Sequence, residues 1–226
     1  MLEPGLGSGY LNLRPKVRAF FLVKIASIAG YELFDTAQLY AKGKGERLLG
    51  ILIPEKKRIV TKIGWSAEYS QTESNEVRWR DHFPAEKIEL LVDESLLRLR
   101  RERCFGLLLH SISADVNLDE HIFQLERLKG LGRVEKIGFS IDSIDQLPKW
   151  YGWADIIEIP ISLVDQIKFD NSTILVLNGL FRETNKLNQL FTFHRNHPSL
   201  HIIALIGSGR LIRVLKFIFK IKSGSN

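Results

Sequence analysis

Short, uninterrupted apolar runs alternate with helical patterns along nearly the whole chain, and no other property narrows the fold as much. The runs fall at residues 31–34, 58–62, 105–110, 136–140, 155–159, 173–177 and 201–206. They have strand length and lack the apolar/polar alternation of a strand with one wet face. Helical patterns fill the gaps at 14–29, 46–53, 84–103, 118–130, 183–196 and 211–222, with a helical turn around 144–150. Strands buried on both faces, each followed by a helix, specify a parallel sheet covered on both sides. If the residues near Leu6 supply a first strand, the count reaches eight units, and eight units close naturally into a (β/α)8 TIM barrel. An open doubly wound sheet is the other architecture that fits the pattern. At 226 residues the chain is at the small end for a barrel, so its loops must be short. One compact barrel domain over 1–222 with a flexible tail at 223–226 is expected.

Local signals fix some of these elements. Pro15 and Gly30 bracket the first helix, and Pro54 stops the second. The helix over 84–103 carries Glu86 and Glu89 at its positive end and Arg98, Arg100, Arg101 and Arg103 at its negative end. Its inner face is Ile88, Leu91, Val92, Ser95, Leu96 and Leu99. Residues 64–83, with Trp65, Trp79 and His82, have no period and read as a loop that shapes a site. Gly5-Leu6-Gly7-Ser8-Gly9 reads as a tight turn whose spacing is not that of a dinucleotide fingerprint. Trp150-Tyr151-Gly152-Trp153 reads as an aromatic turn under the barrel.

Charge and cysteine usage bound the function. The formal charge of +6 is spread along the chain, which is a solvated surface rather than a nucleic-acid patch. A single cysteine, Cys104, rules out an intramolecular disulfide and fits a reducing, cytoplasmic setting; beside Phe105 it reads as a buried thiol. No leader-like apolar segment is visible at the start, and no apolar run is long enough for a membrane span. His194, His197 and His201 lack the carboxylate or cysteine partners of a metal site, so no metal is expected. The basic run over 211–222 reads as the last barrel helix.

Ionisable side chains gather at the ends of the apolar runs. Asp35 ends the second, with Tyr40 five residues on; Lys62 ends the third; His110 ends the fourth. In a parallel barrel all strand ends of one sense share one rim, so these four can form a single site, and such a group can make a tyrosine a proton donor. Taken singly, each has an ordinary structural reading: a helix-capping Asp, a snorkelling Lys, a rim His.

These residues, in their contexts, resemble the aldo-keto reductase family over nearly the whole chain. Phe34-Asp35-Thr36-Ala37 followed by Tyr40, Gly45-Glu46 and Leu49-Gly50 is similar to its most specific signature. Gly5-Leu6-Gly7-Ser8, Thr61-Lys62 with Gly64, Glu94-Ser95-Leu96 with Arg98-Leu99, Leu107-Leu108-Leu109-His110, Gly138-Phe139-Ser140 and Ile206-Gly207-Ser208 with Arg210 resemble further family motifs. The resemblance implies NADPH-dependent reduction of an aldehyde or ketone to an alcohol. Tyr40 would be the general acid, Lys62 the charge that favours its ionisation, Asp35 the partner that orients Lys62, and His110 the donor that positions the carbonyl. Gly7, Ser8, Ser140 and Glu158 would lie toward the nicotinamide, and Gly207, Ser208 and Arg210 toward the adenosine phosphate.

The sequence departs from the family pattern at Ile141 (often Asn), at Glu158 (often Gln) and at Asn178, where no stacking aromatic is evident. The C-terminal substrate loop of many members has no counterpart after the last helix, which implies an open site. Two other functions stay open: a divergent barrel that keeps the tetrad but binds cofactor weakly or not at all, and a different barrel enzyme using the Lys62 amine. The substrate and the oligomeric state are not legible.

Overall fold

The computed structural model describes residues 1–9, 16–64, 84–114, 116–180 and 186–207. Eight parallel strands, β1 (Leu2–Gly7), β2 (Leu33–Asp35), β3 (Arg58–Ile63), β4 (Cys104–Leu109), β5 (Val134–Ser140), β6 (Ile156–Pro160), β7 (Ile174–Asn178) and β8 (His201–Gly207), close into a barrel in sequence order. Among the described residues five α-helices accompany them: α1 (Lys16–Ile28), α2 (Lys44–Leu52), α3 (Ile88–Leu99), α4 (Asp119–Gly130) and α5 (Lys186–Asn196). The (β/α)8 expectation is met, and the open sheet is excluded by the pairing of β1 with β8 from Leu2↔Ile202 to Gly7↔Gly207.

Most boundaries differ from the sequence reading by one or two residues, but two elements differ in kind. The first strand near Leu6 that the count of eight requires is present, and it displaces the turn reading of residues 5–9: Gly5 and Gly7 belong to β1, an extended strand hydrogen-bonded on both sides. Gly5 is there because a Cβ would lie 2.9 Å from the side chains of both Ile203 and Leu205. The long helix over 84–103 is a short 3-10 turn (Ala85–Lys87) followed by α3, which stops at Leu99 because Arg100 adopts a left-handed conformation, φ 56°. The expected helix over 211–222, the tail, and all of the expected loop over 64–83 except Gly64 lie outside the described residues.

The strands separate two cores. Inside the barrel, Leu33, Val60, Leu108, Ile156, Ile174, Val176, Ile203 and Leu205 pack together. Between strands and helices a larger layer includes Phe34, Ile59, Ile63, Leu107, Leu109, Ile157, Leu175 and Leu177 with Leu49, Val92, Leu96, Leu99 and Leu125 of the helices. Cys104 is buried in that outer layer, and burial pushes its thiol up to about 12, the behaviour of an inert core cysteine. The aromatic turn is split: Trp150 is exposed, while Trp153 packs on Phe139, ring centroids 5.7 Å apart. Among the described residues no helix is long and apolar enough to cross a membrane.

Candidate active site

Side chains alternate faces along a strand, so the residue two positions beyond an inner-core residue also points inward, one step nearer the rim. Asp35 follows Leu33 in this way, Lys62 follows Val60, His110 follows Leu108 and Glu158 follows Ile156. Asn178 follows Val176, while Gly7, Ser140 and Gly207 hold the corresponding places on β1, β5 and β8. The inner apolar layers therefore give way at the carboxyl ends of the strands to a ring of polar groups and glycines. This is the face on which barrel active sites lie.

Lys62 is the centre of the ring. It is 1% exposed, donates to Asp35 Oδ2 and to the Thr36 carbonyl at 3.3 Å, and lies 3.0 Å from Glu158 Oε2. Its Nζ is 5.5 Å from the Tyr40 ring centroid. The Tyr40 and His110 rings meet edge to face at 5.8 Å. All four residues of the expected tetrad are thus brought together.

The loop that delivers Tyr40 is built as an extension of the sheet. Thr36 N–H donates to the Val60 carbonyl at 2.9 Å and Gln38 N–H to the Lys62 carbonyl at 3.1 Å, so the chain keeps tracking β3 past the end of β2. Gln38 Nε2 then bonds the Leu91 carbonyl at 2.6 Å and Ser95 Oγ at 3.0 Å, which pins the loop to α3. Ala41, Lys42 and Gly43 follow with φ of 48°, 56° and 74°, a left-handed reversal that starts α2 directly under Tyr40. Two glycines pack close to this loop: a Cβ on Gly9 would be in van der Waals contact with Tyr40 Cζ at 3.4 Å, and one on Gly45 would crowd Thr36 Oγ1 at 3.0 Å.

The sequence reading missed the support beneath this loop. Glu46 is fully buried, accepts from Thr61 Oγ1 at 2.7 Å and pairs with Arg98 of α3. The signal was present in the Glu46 and Arg98 positions of the quoted motifs, but nothing in the sequence said that the two meet. Arg98, whose place in the sequence suits the negative end of its own helix, instead reaches Glu46 of α2. Arg101 likewise reaches across to the carbonyls of Lys57 and Pro54, at 2.7 and 2.9 Å.

Electrostatics in the ring follow from burial and from the ratio of charges. For Lys62, burial disfavours the cation, but Asp35 and Glu158 outweigh it and hold the proton more firmly than on a free lysine. Burial, then the charge of Glu158, push the Asp35 carboxyl well above the usual carboxylate range despite Lys62. Burial pushes the Tyr40 phenol up; Lys62 pulls it down, as the sequence reading expected, but Asp35, Glu158 and Asp142 push against that pull. His110 is driven down to about 3 by burial and by Lys62, so its imidazole is neutral across the physiological range.

The remaining expected residues line the same mouth. A Cβ on Gly7 would meet nothing among the described residues within 4 Å. Ser8 is fully buried beside it, its N–H on the Asp35 carbonyl at 2.9 Å and its hydroxyl without a partner among the described residues. Ser140 Oγ accepts the Ser111 N–H at 3.0 Å. Glu158 Oε1 accepts from Asn178 Nδ2 at 3.2 Å across the β6–β7 pair. Ile141, which stands where an asparagine was noted as common, is buried in the outer core. Gly207 ends β8; Ser208 and Arg210 lie outside the described residues.

A parallel barrel with an acid–base cluster at its carboxyl-end rim defines a class of (β/α)8 enzyme site. Within that class the chain belongs to the aldo/keto reductase family, which it matches over residues 5–173. This is a family of oxidoreductases that bind nicotinamide cofactors. Solved structures agree on the fold. An aldo-keto reductase from Bacillus halodurans in its holo form superposes with a TM-score of 0.71 at 18% identity, covering 97% of this chain and 86% of its own. A putative aldo-keto reductase from Pseudomonas aeruginosa gives 0.70 at 22% identity, covering 96% and 88%. One from Klebsiella pneumoniae in complex with NADPH gives 0.63 at 16% identity, covering 96% and 84%. No curated protein sequence matches.

Proposed function

We propose that the protein reduces an aldehyde or ketone to an alcohol with NADPH, with Tyr40 as the proton donor. The observation that carries this reading is the enclosure of Lys62 by Asp35, Glu158 and the Tyr40 ring, with neutral His110 against the same ring. NADPH, when bound, supplies the hydride. Tyr40 gives its phenolic proton to the carbonyl oxygen, and the Lys62 cation beside the ring stabilises the phenolate left behind. Asp35 holds Lys62 in place. His110, kept neutral, donates one ring N–H to the carbonyl oxygen without competing as an acid.

Several rim features support a fit to the cofactor. Among the described residues nothing lies within 4 Å of a Cβ on Gly7 and the buried Ser8 hydroxyl is unpartnered, and Ser140 and Glu158 face the same mouth. A carboxylate at Glu158 accepts a hydrogen bond from a carboxamide but does not return one, and the neighbouring Asn178 amide is the donor at hand. Gly207, with Ser208 and Arg210 next in sequence, would serve the phosphate end, as the family resemblance implies. The substrate is a small carbonyl compound, no nucleic acid or metal takes part, and the setting is cytoplasmic.

Titration of NADPH followed by its fluorescence tests the reading. Saturable binding below millimolar cofactor is expected, together with aldehyde-dependent oxidation of NADPH. One observation favours a second reading, a barrel with weak or lost cofactor binding: Glu158 is engaged by Lys62 and Asn178. Absence of binding at millimolar NADPH, in folded protein, would select it.

A further inference from the structure

Glu158 brings a second carboxylate to a lysine that already has one. Lys62 is hydrogen-bonded to Asp35 and lies 3.0 Å from Glu158, and the three residues are 1%, 2% and 3% exposed. With both acids ionised this group carries a net negative charge, and its burial takes that charge out of the screening of bulk solvent. The surroundings offer no second cation among the described residues that face it. Tyr40 is a neutral phenol, His110 is neutral, Asn178 is an amide, and Asp142 beyond them adds negative charge. Glu158 Oε2 lies against the cluster without a hydrogen bond of its own to the lysine. Burial and then the Glu158 charge raise the Asp35 carboxyl, the direction in which it keeps a proton.

We propose that Glu158 is a positioning residue through which Asp35, Lys62 and Glu158 form one buried cluster that holds a shared carboxyl proton at neutral pH. The proton belongs to the pair of acids rather than to either one. Its presence keeps the cluster neutral, so that one carboxylate charge rather than two opposes Lys62 at Tyr40. Loss of the proton as pH rises adds a negative charge beside Tyr40 and makes it a weaker acid. This last consequence rests on the carbonyl-reduction reading; the held proton itself does not.

Infrared difference spectroscopy of the cofactor-free protein at pH 7 tests the proposal. The unmutated protein should show the carbonyl stretch of a protonated carboxyl, shifting on exchange into D2O. Glu158→Gln and, separately, Asp35→Asn should each abolish that band, because either change leaves Lys62 with one partner and no excess charge. A residue with only a packing role would not make the band vanish from both ends. No band in the unmutated protein overturns the proposal, whatever the variants do; so does a band that survives in both. If Glu158→Gln does not fold, the unmutated spectrum and Asp35→Asn still decide. In the loaded enzyme, Glu158→Gln should remove a basic limb from the pH profile of carbonyl reduction, and an unchanged profile with the infrared result intact would remove the consequence for Tyr40 alone.

Discussion

Lys62 is the residue on which the site depends, and its substitution separates charge from packing. Lys62→Met keeps the side-chain length but leaves Asp35 and Glu158 buried without their cation. Breaking a buried pair in this way costs about 3–5 kcal/mol. The loss should be larger at pH 8 than at pH 5, because the native variant binds protons that the unfolded chain releases, so its stability falls as pH rises. Urea unfolding at the two pH values measures this; equal losses would show that the carboxylates are not the cause. His110 acts with the opposite sign. Its imidazole is pushed from an ordinary value near 6.5 to about 3 in the folded protein. Between those values the unfolded chain binds the extra proton, so stability is lost as pH falls through that window. His110→Gln removes the effect: between pH 7 and pH 4 its unfolding midpoint should fall less than that of the unmutated protein. Asp35 contributes equally to both proteins and cancels in the comparison.

At the scale of elements, the catalytic loop is held by α2 and α3 rather than by the barrel alone. Gly50 of α2 lies against the end of α3, where a Cβ would fall 2.5 Å from the Leu99 carbonyl oxygen. Backbone cannot yield as a side chain can, so Gly50→Ala must move one helix. Overpacking of this kind costs about 1–3 kcal/mol. The shift would also strain Glu46–Arg98 and the Gln38 contacts to Leu91 and Ser95, which join the same two helices to the Tyr40 loop. Gly50→Ala should therefore lower carbonyl turnover as well as thermal stability, although residue 50 touches neither Tyr40 nor Lys62 in any described contact. A stable variant with full turnover would show that the helix pair does not position the loop.

For the whole molecule, the barrel was legible because strands buried on two faces leave a distinctive apolar run, and seven of them carried it. β1 was not, since Gly5 and Gly7 look like a turn until the side chains of Ile203 and Leu205 are seen to need the space. α3 was overextended because Arg100 and Arg101 are good helix formers, and the left-handed stop at Arg100 has no glycine to announce it. The rim was legible where a polar residue closes an apolar strand, as at Asp35, Lys62 and His110. Contacts across the sheet were not: the sequence places Glu158 on β6 but cannot say that its carboxylate reaches Lys62 on β3.

Proton donation by Tyr40 is decided by comparing NADPH oxidation with a reactive aldehyde by the unmutated protein and by Tyr40→Phe, alongside NADPH affinity. The phenyl ring keeps the contact with His110 and removes only the hydroxyl. Turnover should fall about 10²–10⁴-fold, the range for loss of a general acid, with NADPH affinity nearly unchanged. Equal turnover by the two proteins would contradict it.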